Sequence, residues 1–390
     1  MSPRYAVLGA GRQGTAAGYD LIHHGSAEIV LMADVDIRQA ERAAARLNEL
    51  TDSDKTHAIR LDASQPNQVA EVLKQERIDA FISAVPYFYN LGLTRAAIQA
   101  GSGMTDLGGN SDIVYEQLEL AAQAAEAGVT IIPDCGQVPG MGTTLVLFAM
   151  EQLDQTRDVY MWDCGLPQDP VPPWNYRLTF NIEGLTNEYY GDCLFIREGQ
   201  LTRIPALTEY ERLTYPEPIG ELEAFTTSGG LTTAARSFEG QLRTLQNKTL
   251  RYPGNFEQLK IIERLGLFEP SSIDVNGLQV SPRQVLHELW EPQIRAEPDT
   301  RDFILIHIEA HGSRQGKPAK VKVLLIHRFD GETGFTAMEQ ATGWHAAIMT
   351  EAIAKGRIPS GVIPIERAMT GQNFVEQAEL RGFEVELTLD

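Results

Sequence analysis

An apolar run at 5–8, Tyr5-Ala6-Val7-Leu8, breaks into Gly9-Ala10-Gly11-Arg12-Gln13-Gly14, and a second run at 28–33 ends in Asp34. That order reads as strand, glycine turn, helix, strand, acid, and it limits the fold more than any other feature of the chain. Gly9 permits the tight turn, Gly11 lets the backbone come close to a pyrophosphate, and Gly14 lets the helix pack on the strand, so that the anion meets the helix N-terminus. A lone GxGxxG is weak evidence. Here the acid lies about 20 residues beyond the last glycine, the spacing of a ribose-binding carboxylate. The implied ligand is a dinucleotide held by Gly9, Gly11, Arg12, Gln13, Gly14 and Asp34. A carboxylate repels a 2′-phosphate, so NAD is favoured, while Arg12 and Arg38 keep NADP open.

Strand-like and helix-like segments then alternate. Helices are expected at 15–24, 38–50, 66–76, 91–100 and 112–127, and strands at 57–61, 78–85, 103–107 and 129–133. Pro66 suits a first helical position, where its missing N–H costs nothing. Six strands in two βαβαβ halves predict an α/β fold with an N-terminal Rossmann domain, a doubly wound parallel sheet, over 1–134. In such a sheet ligands lie beyond the carboxyl ends of the strands. Asp62 and Ala63 are therefore expected at the adenine, and Ser83, Ala84, Val85, Pro86, Gly108 and Gly140 near the nicotinamide. From Cys135 the texture changes: a proline-rich loop at 167–173 precedes strand-like segments at 176–182, 193–197, 201–204, 303–310 and 320–327. Alternation such as Ile304, Ile306, Ile308 indicates a mainly antiparallel sheet with one covered face. We expect a second α+β domain for substrate binding and dimerisation over 135–335, and a C-terminal segment, 336–390, whose long helix returns to the Rossmann domain.

A formal charge of −20 argues against nucleic acid or an anionic membrane as partner. Three cysteines without CxxC or Cys/His clustering indicate reduced thiols and no metal site. With no apolar run near the roughly 18 residues of a membrane span, and a strand in place of a leader, a cytoplasmic location is expected. A small-molecule partner and a homodimer or higher homo-oligomer complete the expectation.

Six further segments carry more than pattern: Ala33-Asp34-Val35-Asp36, Leu61-Asp62-Ala63-Ser64, Thr105-Asp106-Leu107-Gly108-Gly109, the run from Ile131 through Pro133-Asp134-Cys135-Gly136 to Met141, Leu222 to Gly230 with Thr226-Thr227-Ser228-Gly229-Gly230, and Thr249-Leu250-Arg251-Tyr252-Pro253-Gly254. In that order they resemble the saccharopine dehydrogenase family over essentially the whole chain, most closely its members that oxidise the ε-amine of L-lysine to allysine with NAD. The resemblance implies an oxidoreductase of amino-acid amines. Reactions at the secondary amines of saccharopine or carboxynorspermidine are the alternative within the family, and a catalytically silent NAD-binding protein the alternative outside it. One departure is visible: the family usually closes its Arg-Tyr/Trp-x-Gly motif with histidine, where this chain has Asn255. That residue either changes the chemistry or the substrate, or caps the helix expected at 256–265.

Amine oxidation needs a proton acceptor, and Asp106, Asp134 and Tyr176 are the candidates; both aspartates could equally serve their turns. Arginine's fork suits an α-carboxylate. Arg251 is the first choice of anchor and Arg236 the second, each with a salt bridge as the alternative role. Trp174 and Tyr176 would wall an aliphatic chain, and Glu188 and Tyr189 are weaker candidates of that kind. Cys135 and His345 read as packed residues.

Overall fold

Six short apolar runs form parallel strands: β1 (Arg4–Leu8), β2 (Ile29–Asp34), β3 (Thr56–Arg60), β4 (Ala80–Ser83), β5 (Gly103–Asp106) and β6 (Thr130–Ile132). The computed structural model describes residues 2–390 and orders these strands β6-β5-β4-β1-β2-β3, with the two-residue strand Gly361–Val362 outside β6. Strands covered on both faces are apolar without alternation, and β4 and β5 are buried at every residue. The order turns back between β1 and β4, where Leu8 pairs with Ser83. At such a switch point the loops after the two strands part and leave a crevice.

Two units divide the chain: residues up to Phe148 with Gly331–Gly382, and Ala149–Asp330 with Phe383–Asp390. The first is the doubly wound sheet, and it is closed by the helix Ala337–Ala354. Thr336 and Glu339 form a capping box at that helix's start, and nearly every residue along it is buried. It crosses the helix Arg12–His23 closely: a Cβ on Gly343 would lie 2.7 Å from the Ala17 nitrogen. Thr105 and Thr350 share a hydrogen bond of 2.7 Å, and Arg381 pairs with Asp20 at 2.7 Å with both side chains almost fully buried.

The second unit is a mixed sheet built on β7 (Gln155–Pro167), β8 (Asp192–Arg197), β9 (Gln200–Pro205), β10 (Glu211–Tyr215), β11 (Gly220–Thr226) and β12 (Thr244–Arg251). After a separate hairpin, β13 (Ile273–Val275) and β14 (Leu278–Val280), come the long strands β15 (Asp302–Arg314) and β16 (Lys317–Arg328). The order is β10-β11-β12-β7-β15-β16 and then Val385–Leu389; β8 pairs with β12 and β9, and only β12 and β7 run parallel. Three tight hairpins each carry two left-handed residues, Glu198-Gly199 (φ 49° and 81°), Asn276-Gly277 (φ 53° and 85°) and Gln315-Gly316 (φ 52° and 72°), as the strand twist requires. Tyr176, Leu178, Leu185, Tyr189, Leu250, Trp290 and Leu305 belong to its apolar core.

Four expectations are corrected. The segment 176–182 is no strand: a single bridge links Leu178 to Arg295, and Asn181 accepts a hydrogen bond from the Glu183 nitrogen to start the helix Ile182–Glu188. The helix expected at 112–127 is two, Ser111–Leu118 and Ala121–Glu126, and its cap is Asn110. The boundary placed at 134 lies near Phe148, because the apolar helix Gly142–Met150 starts in the first unit. The C-terminal segment is split, since Val385–Leu389 pairs with β16. Among the described residues no helix is long and apolar enough to cross a membrane, and no cluster of metal-ligating side chains occurs.

Candidate functional site

In the first unit the crevice is built by backbone. Gly9 has φ +100°, and a Cβ on it would lie 2.4 Å from the Ala84 carbonyl oxygen; a Cβ on Gly14 would lie 1.9 Å from that of Gly9. Both glycines are demanded by packing. Gly11 differs, because a Cβ there meets no atom within 4 Å. Gly11 also heads the helix Arg12–His23 without a side-chain cap. Open space before an uncapped helix N-terminus is a cradle for a pyrophosphate, which a methyl group would fill. Asp34 accepts hydrogen bonds from the nitrogens of Ala10 and Asp36, both at 2.9 Å. Its carboxylate thus ties the glycine turn to the end of β2, with lone pairs left for ribose hydroxyls. The residues fit a dinucleotide.

The neighbouring loops are held from within. Arg12 lies 3.6 Å from Glu339 and Arg38 3.3 Å from Asp36, so each arginine faces a carboxylate of this chain. Asp62 accepts from the Ser64 nitrogen at 2.9 Å and, with that hydroxyl's help, is held below the usual carboxylate range; Ala63 follows it in the same turn. Ser83 is fully buried and donates to Asn90 at 2.7 Å, whereas Ala84, Val85 and Pro86 are half-buried. A Cβ on Gly140 would lie 2.6 Å from the Asp134 oxygen. Its glycine serves the turn.

Asp106 is a structural pin. One oxygen accepts from the Gly108 and Asp134 nitrogens at 2.9 and 3.0 Å, the other from the Gln117 amide at 2.8 Å, and no part of the residue is exposed. Burial pushes its carboxyl up against the pull of those donors. A carboxylate so enclosed clamps two loops and has no face for a substrate proton. Asp134 is buried at φ +62°, packed on Gly108, and likewise serves the turn. Cys135 is fully buried with its thiol pushed well up by desolvation, which excludes a nucleophile. His345 donates from Nδ1 to the Cys135 carbonyl at 2.7 Å, and burial lowers it to about 4, so it packs as a neutral ring.

In the second unit, one face of β12 presents Asn247, Thr249 and Arg251 at alternate positions. Asn247 donates to Asp163 at 2.8 Å. Every donor atom of Arg251 is engaged within the chain: Nε and Nη2 on the Tyr189 hydroxyl at 3.0 and 2.8 Å, Nη1 on the Thr249 hydroxyl at 2.7 Å and the Leu250 carbonyl at 2.9 Å, with Glu188 3.4 Å from Nη2. The guanidinium also lies 5.0 Å from the Tyr176 ring centre, whose phenol burial pushes far up. Of the two roles expected for Arg251, these contacts are those of the internal ion pair. The helix that follows β12 has its first turn bonded within the unit as well, since Glu223 accepts from the Phe256 nitrogen at 3.1 Å.

Asn255 is not a side-chain cap. It begins the helix Asn255–Arg264 behind Gly254 and donates to the Trp174 carbonyl at 2.6 Å and to Gln258 at 3.3 Å, clipping the proline loop. Trp174 is braced in turn by Gln293 at 3.1 Å and by the Trp290 ring. Arg236 stands exposed on the short helix Thr233–Ser237. Glu188, Asp163, Asn247 and Thr249 escaped clear assignment from sequence; the signal was the alternation from Asn247 to Arg251 leading into the Arg-Tyr-x-Gly motif.

The family profile "Saccharopine dehydrogenase NADP binding domain" matches residues 5–132, and "Saccharopine dehydrogenase C-terminal domain" matches 136–382. The chain is 20% identical over 302 residues to "Saccharopine dehydrogenase [NADP(+), L-glutamate-forming]" of Saccharomyces cerevisiae, covering 75% of this chain but 65% of that one. It is 22% identical over 304 residues to "Carboxyaminopropylagmatine dehydrogenase" of Synechocystis, covering 75% and 73%. The solved structure "Apo histidine-tagged saccharopine dehydrogenase (L-Glu forming) from Saccharomyces cerevisiae" superposes with a TM-score of 0.77 at 15% identity, covering all of both chains. At that identity the likeness establishes the fold.

Proposed function

Since this chain belongs to the saccharopine dehydrogenase family, we propose that it is a nicotinamide-dependent oxidoreductase of amino-acid amines, and in particular one that oxidises the ε-amine of L-lysine with NAD. The observation that carries the reading is the glycine turn, where Gly9 and Gly14 are fixed by packing and Gly11 opens on empty space before a helix N-terminus. When bound, the nicotinamide nucleotide supplies the acceptor for a hydride. The chain supplies position: Gly9 to Gly14 would hold the pyrophosphate and Asp34 the ribose, while the second unit offers the polar strip of β12. Asp34 supports NAD because its charge opposes a 2′-phosphate, and Arg12 and Arg38, the cations that would answer that phosphate, already face Glu339 and Asp36. The NADP(+) in the yeast relative's name is the reason to measure both.

Reduction of NAD and of NADP is to be followed with L-lysine, L-ornithine, saccharopine and carboxynorspermidine. Turnover is expected with L-lysine and NAD. Absence of lysine turnover with oxidation of a secondary amine moves the substrate to the class named in the relatives. Binding of NADH by calorimetry without turnover of any amine makes the chain a nucleotide-binding protein instead.

A further inference from the structure

Glu188 closes the helix Ile182–Glu188, and its backbone is gripped by a neighbouring turn: the Ser228 nitrogen donates to the Glu188 carbonyl at 2.9 Å, and the Ser228 hydroxyl to the Asn187 carbonyl at 2.6 Å. Arg283 holds the Asn187 amide oxygen at 2.8 Å. The carboxylate is therefore presented from fixed backbone. Its only cationic neighbour at ion-pair distance among the described residues is Arg251, whose side chain is 4% accessible, whereas that of Glu188 is 32% accessible. With the other donors of Arg251 on Tyr189, Thr249 and Leu250, the charge that faces outward here is negative. Arg251 and Thr249 come from β12, Asp163 from β7, Tyr189 from the end of the helix and Tyr176 from the loop before it. An accessible carboxylate backed by a locked guanidinium suits a cation.

We propose that Glu188 receives the ammonium group of the substrate and accepts its proton, with Arg251 as the residue that positions it. The proposal rests on the amine reading above. In this step an N–H bond of R–CH2–NH3+ breaks and an O–H bond forms on Glu188, giving R–CH2–NH2 and a neutral carboxyl; nothing is oxidised, and the nitrogen is left with the lone pair that hydride departure requires. The accessible third of the side chain gives the proton a way to solvent. Desolvation outweighs the pull of Arg251, Asp163 adds to it, and together they raise Glu188 to about 7. That narrows the gap to an alkylammonium and makes the carboxylate a better base than an ordinary one.

The test is titration calorimetry of L-lysine, or of whichever amine is turned over, into the NADH-bound full chain, in buffers of two ionisation enthalpies at pH 6 and pH 8. At pH 6 Glu188 is mostly protonated, so ammonium binding must expel close to one proton, and at pH 8 far less. Glu188→Gln should release none at either pH and bind at least about tenfold more weakly at pH 8, while Glu188→Asp restores part of the release. The acid limb of kcat/KM, a fall as pH drops through about 7 in the native chain, should vanish in Glu188→Gln. Native-like proton release and affinity in Glu188→Gln overturn the proposal alone. A native chain that neither binds nor oxidises any amine overturns the amine reading and this proposal with it. Should Glu188→Gln fail to fold, proton release by the native chain and by Glu188→Asp decides.

Discussion

Two of the three turn glycines lack a side chain because packing leaves no room for one and Gly11 because it faces open space, and substitution separates the two reasons. Gly14→Ala drives a methyl into the Gly9 carbonyl at 1.9 Å, so thermal melting should show a loss of about 1–3 kcal/mol or more, the range for overpacking. Gly11→Ala meets nothing in the protein; its stability should stay within about 0.5 kcal/mol, as for a surface change, while NADH affinity by fluorescence titration falls about tenfold or more. Equal stability losses would remove the cradle argument. At this scale the nucleotide turn was legible because backbone geometry writes itself into glycine spacing. The direction of a side chain is not written so locally. Arg251 stood out by its motif, yet its engagement depends on Tyr189 and Thr249, and Asp106 looked poised until Gln117, eleven residues on, was found to hold its second oxygen.

Among the elements, the helix Ala337–Ala354 bears directly on nucleotide binding, because it supports the helix whose N-terminus forms the cradle. Gly343 sits where the two cross, 2.7 Å from a Cβ position to the Ala17 nitrogen and 2.9 Å to the Gln13 oxygen. Gly343→Val should push the pair apart, costing about 1–3 kcal/mol and weakening NADH binding without touching the nucleotide. Unchanged affinity in a destabilised variant would show that the crossing does not set the cradle. The helix was readable from its small and apolar residues, and β15 and β16 from their alternation. The segment 176–182 was misread because its aromatic and aliphatic residues suit a core loop as well as a strand, and only the Asn181 cap marks the turn into a helix.

At the scale of the molecule, the Rossmann unit is interrupted: residues up to Phe148 and Gly331–Gly382 belong together, with the mixed sheet between them in sequence. A fragment ending at Phe148 lacks the buried helix Ala337–Ala354, the outer strand Gly361–Val362 and the Arg381 partner of Asp20. It should be aggregation-prone and fail to bind NADH in calorimetry; a soluble, NADH-binding fragment would show that the returning segment is dispensable. Alternation of strand and helix made the parallel sheet legible, but the exact division of 336–390 was not, because pairing of Val385–Leu389 with β16 is decided by partners far away in the chain. The interruption also sets a clock on biosynthesis. A ribosome that has finished the glycine turn has some 360 residues left before Arg381 emerges to meet Asp20, so nascent chains carry an open nucleotide fold waiting on its last piece, and a prematurely terminated product would draw nothing from the cell's dinucleotide pool.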